Sequence, residues 1–446
     1  MYILANGKLI TRDPELPYLP DGGVAIEGAY ILAVGTTAEL KAKYPEASFV
    51  DAKGGIIMPG LINAHTHIYS ALARGLSIRG NNPTNFYEVL DGTWWAIDRK
   101  LDLEATRASS YATYLDCIRQ GVTTIFDHHA SFGEIPGSLS VIAEVAREMG
   151  VRSCLCYEVS DRDGEKKALQ SIQENADFIT ACQKNPDPML KALLGGHALF
   201  TISDKTFQRM VEANNGRVGY HIHISEGMND VYDSLQNYGR RPVQRLQDHG
   251  ILGPDTILGH CIHVNTAEME IIRDTGTWVV NNPESNMGNA VGISPVLTMY
   301  EKGIKLGMGT DAYTHDMLES LKVALCSQRH NACLPNVGWC EVTDMLFRNN
   351  PALTRHHFGI DVGALRPGAV ADVIVMDYKP YTPFSDANID GHMIFGMTGR
   401  QCQTNIINGK IRMLDRQFVD IDEEAINARV LESAKRLWGA LNGESY

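Results

Sequence analysis

Four short apolar segments of the chain end in residues that can hold a metal ion or move a proton. The first is Pro59-Gly60-Leu61-Ile62-Asn63-Ala64-His65-Thr66-His67. Side chains two apart on an extended strand point the same way, so His65 and His67 converge on one point. Two imidazoles so placed suit a borderline divalent ion such as zinc. The second, Tyr220-His221-Ile222-His223-Ile224-Ser225-Glu226, brings a ligand and an acid/base carboxyl to one place. His221 shares the parity of His223 but lies deeper, which suits a core or supporting role. The third ends Leu258-Gly259-His260 and the fourth Gly307-Met308-Gly309-Thr310-Asp311. A carboxylate straight after an apolar, Gly-rich strand is costly to bury unless it is paired or metal-bound. Each ending alone could be structural; four in order along the chain point to one metal site.

Two more strand ends add polar groups. Gly195-Gly196-His197 offers a histidine suited to substrate contact. In Phe126-Asp127-His128-His129 the two histidines fit a substrate-facing or a structural role equally. A second metal calls for a bridging ligand, often a modified lysine at the end of the fourth strand. His197 stands there, which favours a single ion.

These residues need a scaffold that gathers strand ends at one mouth. Between the chain ends, apolar strands alternate with amphipathic helical segments, the pattern of repeated βα units and a parallel sheet. We read strands at 57–63, 122–127, 151–157, 189–196, 218–224, 255–260, 277–281 and 304–310. Helices follow at 103–120, 138–149, 165–183, 205–215, 229–249, 265–274, 294–302 and 317–330. Eight such repeats predict an α/β fold, a (β/α)8 TIM-type barrel with its chemistry at the mouth. An open doubly wound sheet is the rival, but no Gly-x-Gly-x-x-Gly follows the first strand. Both chain ends read as short strands and turns, with Asn408-Gly409 a strong hairpin signal. Neither end can bury a face alone, which predicts one small β-sandwich domain shared by the two. The expected division is 1–58 and 363–414 for that domain, 59–362 for the barrel, and 415–446 for a terminal helix on the barrel.

The 446 residues carry a formal net charge of −13, and no run of Lys and Arg suits a polyanion, so nucleic acid is not an expected partner. Nine cysteines include no Cys-x-x-Cys pair, which favours free thiols in a reducing cytoplasm. No stretch approaches the ~18 apolar residues of a membrane helix. The expectation is a cytoplasmic protein without membrane contact, forming a homo-oligomer, a dimer or larger.

The order His65-x-His67, His223-x-x-Glu226, His260 and Asp311 resembles the amidohydrolase superfamily, in its cytosine deaminase/chlorohydrolase-like branch. Met58 to His67 is similar to that branch's first-strand motif, and Asn282-Pro283-Glu284-Ser285-Asn286-Met287 to its loop after strand seven. Gly363-Ala364-Leu365 through Ala371-Asp372 resembles the return into the β-domain. Tyr69 to Leu76, Trp94-Trp95-x-x-Asp98-Arg99 and Phe126 to Ser131 are most similar to SsnA-type aminohydrolases, which are linked to purine and selenium catabolism. The resemblance implies that His65, His67, His223 and Asp311 hold one divalent metal, zinc or else iron. It implies that Glu226, His260 and Asp311 are catalytic and that His197 faces the substrate. Tyr69, Phe86, Trp94 and Trp95 could wall a flat ring, although one of the two tryptophans could equally pack a helix on the barrel. No Gln/Arg pair of the guanine-reading kind is present. The expected reaction is hydrolytic release of ammonia from a small amino-substituted N-heterocycle such as a purine, pteridine or pyrimidine. Hydrolysis of a cyclic amide, displacement of chloride, or a non-catalytic binding role on the same fold are the alternatives.

Overall fold

The structure, a computed structural model, describes residues 1–444. Its parallel strands are Leu61–Thr66, Val122–His129, Arg152–Tyr157, Tyr220–Ile224, Ile257–His260, Trp278–Asn281 and Lys305–Met308, with the fourth in two pieces, Leu190–Ala192 and Leu194–Ala198. Nearly every strand residue is buried, as expected where helices cover one side and the barrel interior the other. Strands one to four form one arc, and the second piece of strand four through strand eight forms another. The break falls at Leu193, whose N–H donates to Leu155 O at 3.1 Å while that of Leu194 donates to Gly219 O at 3.0 Å.

The arcs meet at two seams, at the parallel bridges Val159–Gly196 and Thr66–Asp311, and together make a (β/α)8 barrel. A buried asparagine stitches each seam. Asn350 Nδ2 donates to Ile62 O and Met308 O, both at 2.8 Å, and its Oδ1 accepts from Met308 N at 2.9 Å. Asn175 Oδ1 accepts from Tyr157 N at 2.9 Å and Gly195 N at 3.2 Å, and its Nδ2 donates to Tyr157 O at 2.8 Å. Each amide supplies donors and acceptors that the interrupted ladder leaves open.

The two chain ends share one nine-stranded sheet. Ile56–Pro59 runs antiparallel to Val373–Met376, with Pro59 opposite Val373 and Ile56 opposite Met376. The predicted Asn-Gly hairpin joins Cys402–Ile407 to Lys410–Leu414, with Asn408 at φ 51° and Gly409 at φ 74°, the backbone a two-residue turn of that hand needs. A buried ion pair between Arg152 and Asp372 ties this sheet to the barrel. The last helix, Glu423–Asn442, packs on Leu103–Arg119 through Arg429, whose Nε and Nη2 meet the Glu104 carboxylate at 2.7 and 2.9 Å.

Several boundaries differ from expectation. The helix expected over 229–249 is two, Met228–Tyr238 and Pro242–Asp248, because Gly239 turns left-handed at φ 64° and Pro242 starts afresh. Strand two runs on to His129, and strand eight stops at Met308. Short helices Trp339–Asp344, Asn350–Phe358 and Ile389–Gly396 carry the chain back to the β-rich sheet. All nine cysteines are free. Among the described residues no helix is long and apolar enough to cross a membrane.

Candidate metal centre and active site

The strand ends meet at one mouth. His65 Nε2 lies 3.2 Å from His223 Nε2, and Asp311 Oδ1 lies 2.8 Å from His67 Nε2 and 3.8 Å from His65 Nε2. His260 Nε2 stands 3.7 Å from Asp311 Oδ2 and 3.5 Å from Glu226 Oε2. All six side chains are buried or nearly so.

Hydrogen bonds to the other ring nitrogens fix which atoms face the centre. His67 Nδ1 is 2.5 Å from His128 O, His223 Nδ1 is 2.9 Å from His197 O, and His260 Nδ1 is 2.7 Å from Asn286 Oδ1. A carbonyl oxygen only accepts, so each Nδ1 carries a proton and each Nε2 is the atom turned to the centre. His65 Nδ1 is backed at 2.8 Å by His221 Nε2, the supporting place that the deeper position of His221 implied. The facing lone pairs of His65 and His223 repel unless a cation or proton lies between them. Imidazole and carboxylate donors spaced in this way suit a divalent ion.

The mouth is also where the backbone is strained. Ser225, His260 and Asp311 have φ of 50°, 69° and 55° at the ends of strands five, six and eight. Left-handed backbone at such residues costs of order 1–3 kcal/mol and persists only where its surroundings impose it. Asp311 N donates to His65 O at 3.0 Å, and Ser225 N to Asp230 Oδ2 at 2.6 Å. The turns aim Glu226, His260 and Asp311 inward.

Charge follows burial and neighbours. Burial pushes His65 down to about 3 and holds His223 well below its ordinary value, so both are neutral, the form in which an imidazole can bind a metal. Burial would lower His67 too, but the Asp311 and Glu158 carboxylates outweigh it and push the ring up to about 9. Asp311 stays well below the usual carboxylate range: burial opposes this, and His67 and His65 prevail. Glu226 goes the other way, pushed up to about 7 by burial with the Asp311 charge adding and His260 opposing.

The pocket over this centre is lined by Tyr69, Phe86, Trp94 and His197 among the expected substrate contacts. Burial pushes His197 down to about 3, and its Nδ1 is held at 2.9 Å by Thr201 Oγ1. His128, His129 and Trp95 are not on the pocket wall. His128 lies beneath it, with Nδ1 3.0 Å from Glu158 Oε1 and Nε2 3.0 Å from both Gly196 O and His221 O. His129 is buried between Tyr157 and Tyr69, ring centroids at 5.7 and 6.3 Å. Trp95 packs behind His197, centroids 5.8 Å apart, with the Arg162 guanidinium 5.0 Å from its ring. Sequence reasoning passed over Glu158, which follows strand three directly and lines the pocket. The rule that singled out Asp311, a carboxylate straight after an apolar strand, would have found it.

The model of the amidohydrolase family matches residues 56–412, and that of a bacterial imidazolonepropionase-like composite domain matches residues 22–47. The chain is 30% identical to a 5′-deoxyadenosine deaminase of Methanosarcina barkeri, covering 99% of each. It is 28% identical to a 5-methylthioadenosine/S-adenosylhomocysteine deaminase of Pelotomaculum thermopropionicum, covering 98% of each. Among solved structures, an adenosine deaminase from Xanthomonas campestris with bound zinc superposes with a TM-score of 0.85 at 22% identity, over 98% of both chains. Atrazine chlorohydrolase from Arthrobacter aurescens does so with a TM-score of 0.80 at 22% identity, over 97% of this chain and 100% of that one. The chain belongs to the amidohydrolase family, in its cytosine deaminase/chlorohydrolase-like branch, and is a metal-dependent hydrolase of carbon–nitrogen bonds.

Proposed function

We propose that the protein hydrolyses the amino group from an amino-substituted N-heterocycle, an adenine nucleoside or close analogue, with release of ammonia. The observation that carries this reading is Glu226, its side chain only 13% exposed and pushed up to about 7, with Oε2 3.5 Å from His260 Nε2 at the mouth shared with Asp311. Deamination needs a proton on the ring nitrogen beside the amino-bearing carbon as that carbon becomes tetrahedral. A carboxyl poised near neutrality can hold that proton and give it. The deaminases of 5′-deoxyadenosine and of 5-methylthioadenosine that match the whole chain support an adenine nucleoside as the substrate class.

His65, His67, His223 and Asp311 would hold one zinc ion. When bound, zinc supplies the Lewis acidity that makes water a nucleophile near pH 7. A single ion is supported by His128, whose two ring nitrogens are both engaged by protein oxygens and neither of which points to a second centre. Asp311 takes the first proton of the attacking water; Ser285 Oγ donates to its Oδ2 and fixes the carboxylate. His260, anchored by Asn286, orients the water between Asp311 and Glu226. Glu226 gives its proton to the ring nitrogen. As the tetrahedral carbon collapses, Asp311 passes its proton to the departing amine and Glu226 regains one from the new hydroxyl. Ring carbonyl, ring N–H and ammonia result.

Ammonia release from 5′-deoxyadenosine, adenosine, adenine and an aminopteridine, measured on zinc-replete protein, tests this. Turnover of the adenine nucleosides is expected, with about one zinc per chain by elemental analysis. No ammonia from any of the four overturns the substrate class, and two tightly held ions overturn the single site.

A further inference from the structure

Four carboxylates line the pocket, and the proposed reaction uses two, Asp311 and Glu226. Asp230 is occupied on both oxygens, Oδ1 accepting from Phe200 N at 3.0 Å and Oδ2 from Ser225 N at 2.6 Å, so it pins the loops around the mouth. Glu158 differs from all three. Its Oε1 accepts from His128 Nδ1 at 3.0 Å and lies 3.6 Å from His67 Nδ1. Its Oε2 accepts no hydrogen bond from any described residue; His197 Nε2 stands off at 3.9 Å. The side chain is 2% exposed, so the pocket is the only place from which Oε2 can be reached. An acceptor enclosed in the pocket wall without a protein donor is costly to keep dry, and a donor arriving in the pocket satisfies it.

We propose that Glu158 reads the substrate: Oε2 accepts a hydrogen bond from an O–H or N–H on the part of the molecule turned towards strands three and four. The inference rests on the deaminase reading and deepens it. Ring nitrogens 1, 3 and 7 of an N9-substituted adenine are all acceptors. Apart from the departing amino group, the only donors such a substrate owns are the sugar hydroxyls. In the free base, the ring N–H is the other source. His197 fits beside this contact, since Thr201 orients its ring and leaves Nε2 towards the pocket. The site thus divides, with strands one, five, six and eight around the reacting carbon and strands three and four around the part that identifies the molecule.

The test compares three probes, 5′-deoxyadenosine, its 2′,3′-dideoxy analogue and adenine, on the parent, Glu158→Gln and Glu158→Asp, all zinc-replete. A site built around a substrate donor rejects the analogue lacking it, here on the order of 10⁴-fold in kcat/KM. If the hydroxyls are the source, the parent prefers 5′-deoxyadenosine over the dideoxy analogue by that factor. If the ring N–H is the source, it prefers adenine over both nucleosides. In either case Glu158→Gln, which can also donate, flattens the preference mainly through KM and keeps its zinc, and Glu158→Asp restores part of it. Binding of the matching hypoxanthine products, read by calorimetry, puts the same question without turnover, so a failure of the deaminase reading stays separate. Variants that keep the parent's ratios among probes and products, however slow, show that Glu158 only props His128 and overturn the proposal. So does a parent that treats all three probes alike.

Discussion

Two clusters of histidine and carboxylate lie side by side at the mouth of the barrel, and their residue types are nearly the same. One gathers His65, His223, His260 and Asp311; the other gathers His67, His128 and Glu158 and shares His223. They differ in what the far side of each ring touches. In the first, His223 and His260 give Nδ1–H to oxygen acceptors and turn a bare Nε2 inward. His67 likewise gives Nδ1–H to a carbonyl, and its Nε2 points into the first group, 2.8 Å from Asp311 Oδ1, where a metal ion would take the place of the proton between them. In the second, His128 meets acceptors at both nitrogens, and its carboxylate partner locks the ring in place. What separates the two groups is which ring nitrogens point to a shared centre and which are taken up by backbone carbonyls, and proximity of ligand-type residues is not enough to define a metal site.

The most direct way to break the comparison is to remove one member from each cluster. Asp311→Asn takes away the proposed anionic ligand and the proposed base together. We expect zinc to be lost and ammonia release to fall by roughly 10⁴-fold or more. His128→Gln should leave about one zinc per chain by elemental analysis, because it removes no ligand. If His128→Gln strips the metal while Asp311→Asn retains it, the division between the clusters is wrong.

Within the first cluster, Glu226→Gln separates chemistry from ligation. The amide keeps the shape and loses the transferable proton. Turnover should drop by about 10²- to 10⁴-fold with metal content unchanged. Ammonia release close to that of the parent would remove Glu226 from the proton path.

The same residue sets an alkaline limit. Glu226 is pushed up to about 7, chiefly by burial, and in the proposed mechanism acts in its protonated form. As pH rises through that value the acid form disappears, so kcat/KM should fall about tenfold per pH unit above it. In Glu226→Gln, which has no proton to lose there, this limb should vanish from the residual rate. A limb that persists unchanged belongs to another group.

The parity of His65 and His67, the step from His223 to Glu226, and the carboxylate closing strand eight were legible because a strand fixes side-chain direction by period alone. The shared terminal sheet was legible for a related reason: neither end has enough apolar surface to stand alone, and Pro59 opposite Val373 is the outcome. What a period cannot carry is the far side of a ring. His128 and His223 look alike as histidines at strand ends, and only the third dimension reveals that one faces Gly196 O and the other a bare centre. Trp95 is a similar case, since one step around a helix takes it behind His197 while Trp94 stays on the pocket wall. Glu158 was readable but lacked a neighbouring histidine to draw attention to it.

The smallest expected effect concerns the two seams, which resemble each other as closely as the two clusters do. Asn350 and Asn175 are both buried, and each bridges strands from the two arcs of the barrel. Replacing either by Ala leaves buried backbone groups unpaired, at about 1–3 kcal/mol each, so both variants should unfold at lower denaturant concentration. Their consequences for the metal should differ. The seam of Asn350 joins strands one and eight, which end in His65, His67 and Asp311, and Asp311 N donates to His65 O across it at 3.0 Å. The seam of Asn175 joins strands three and four, which carry Glu158 and His197 and none of the proposed ligands. Asn350→Ala should therefore weaken zinc retention against a chelator as well as stability, whereas Asn175→Ala should lose stability alone. A chelator half-life shortened equally in both variants would mean that the barrel responds as one body and that the seams differ only in position.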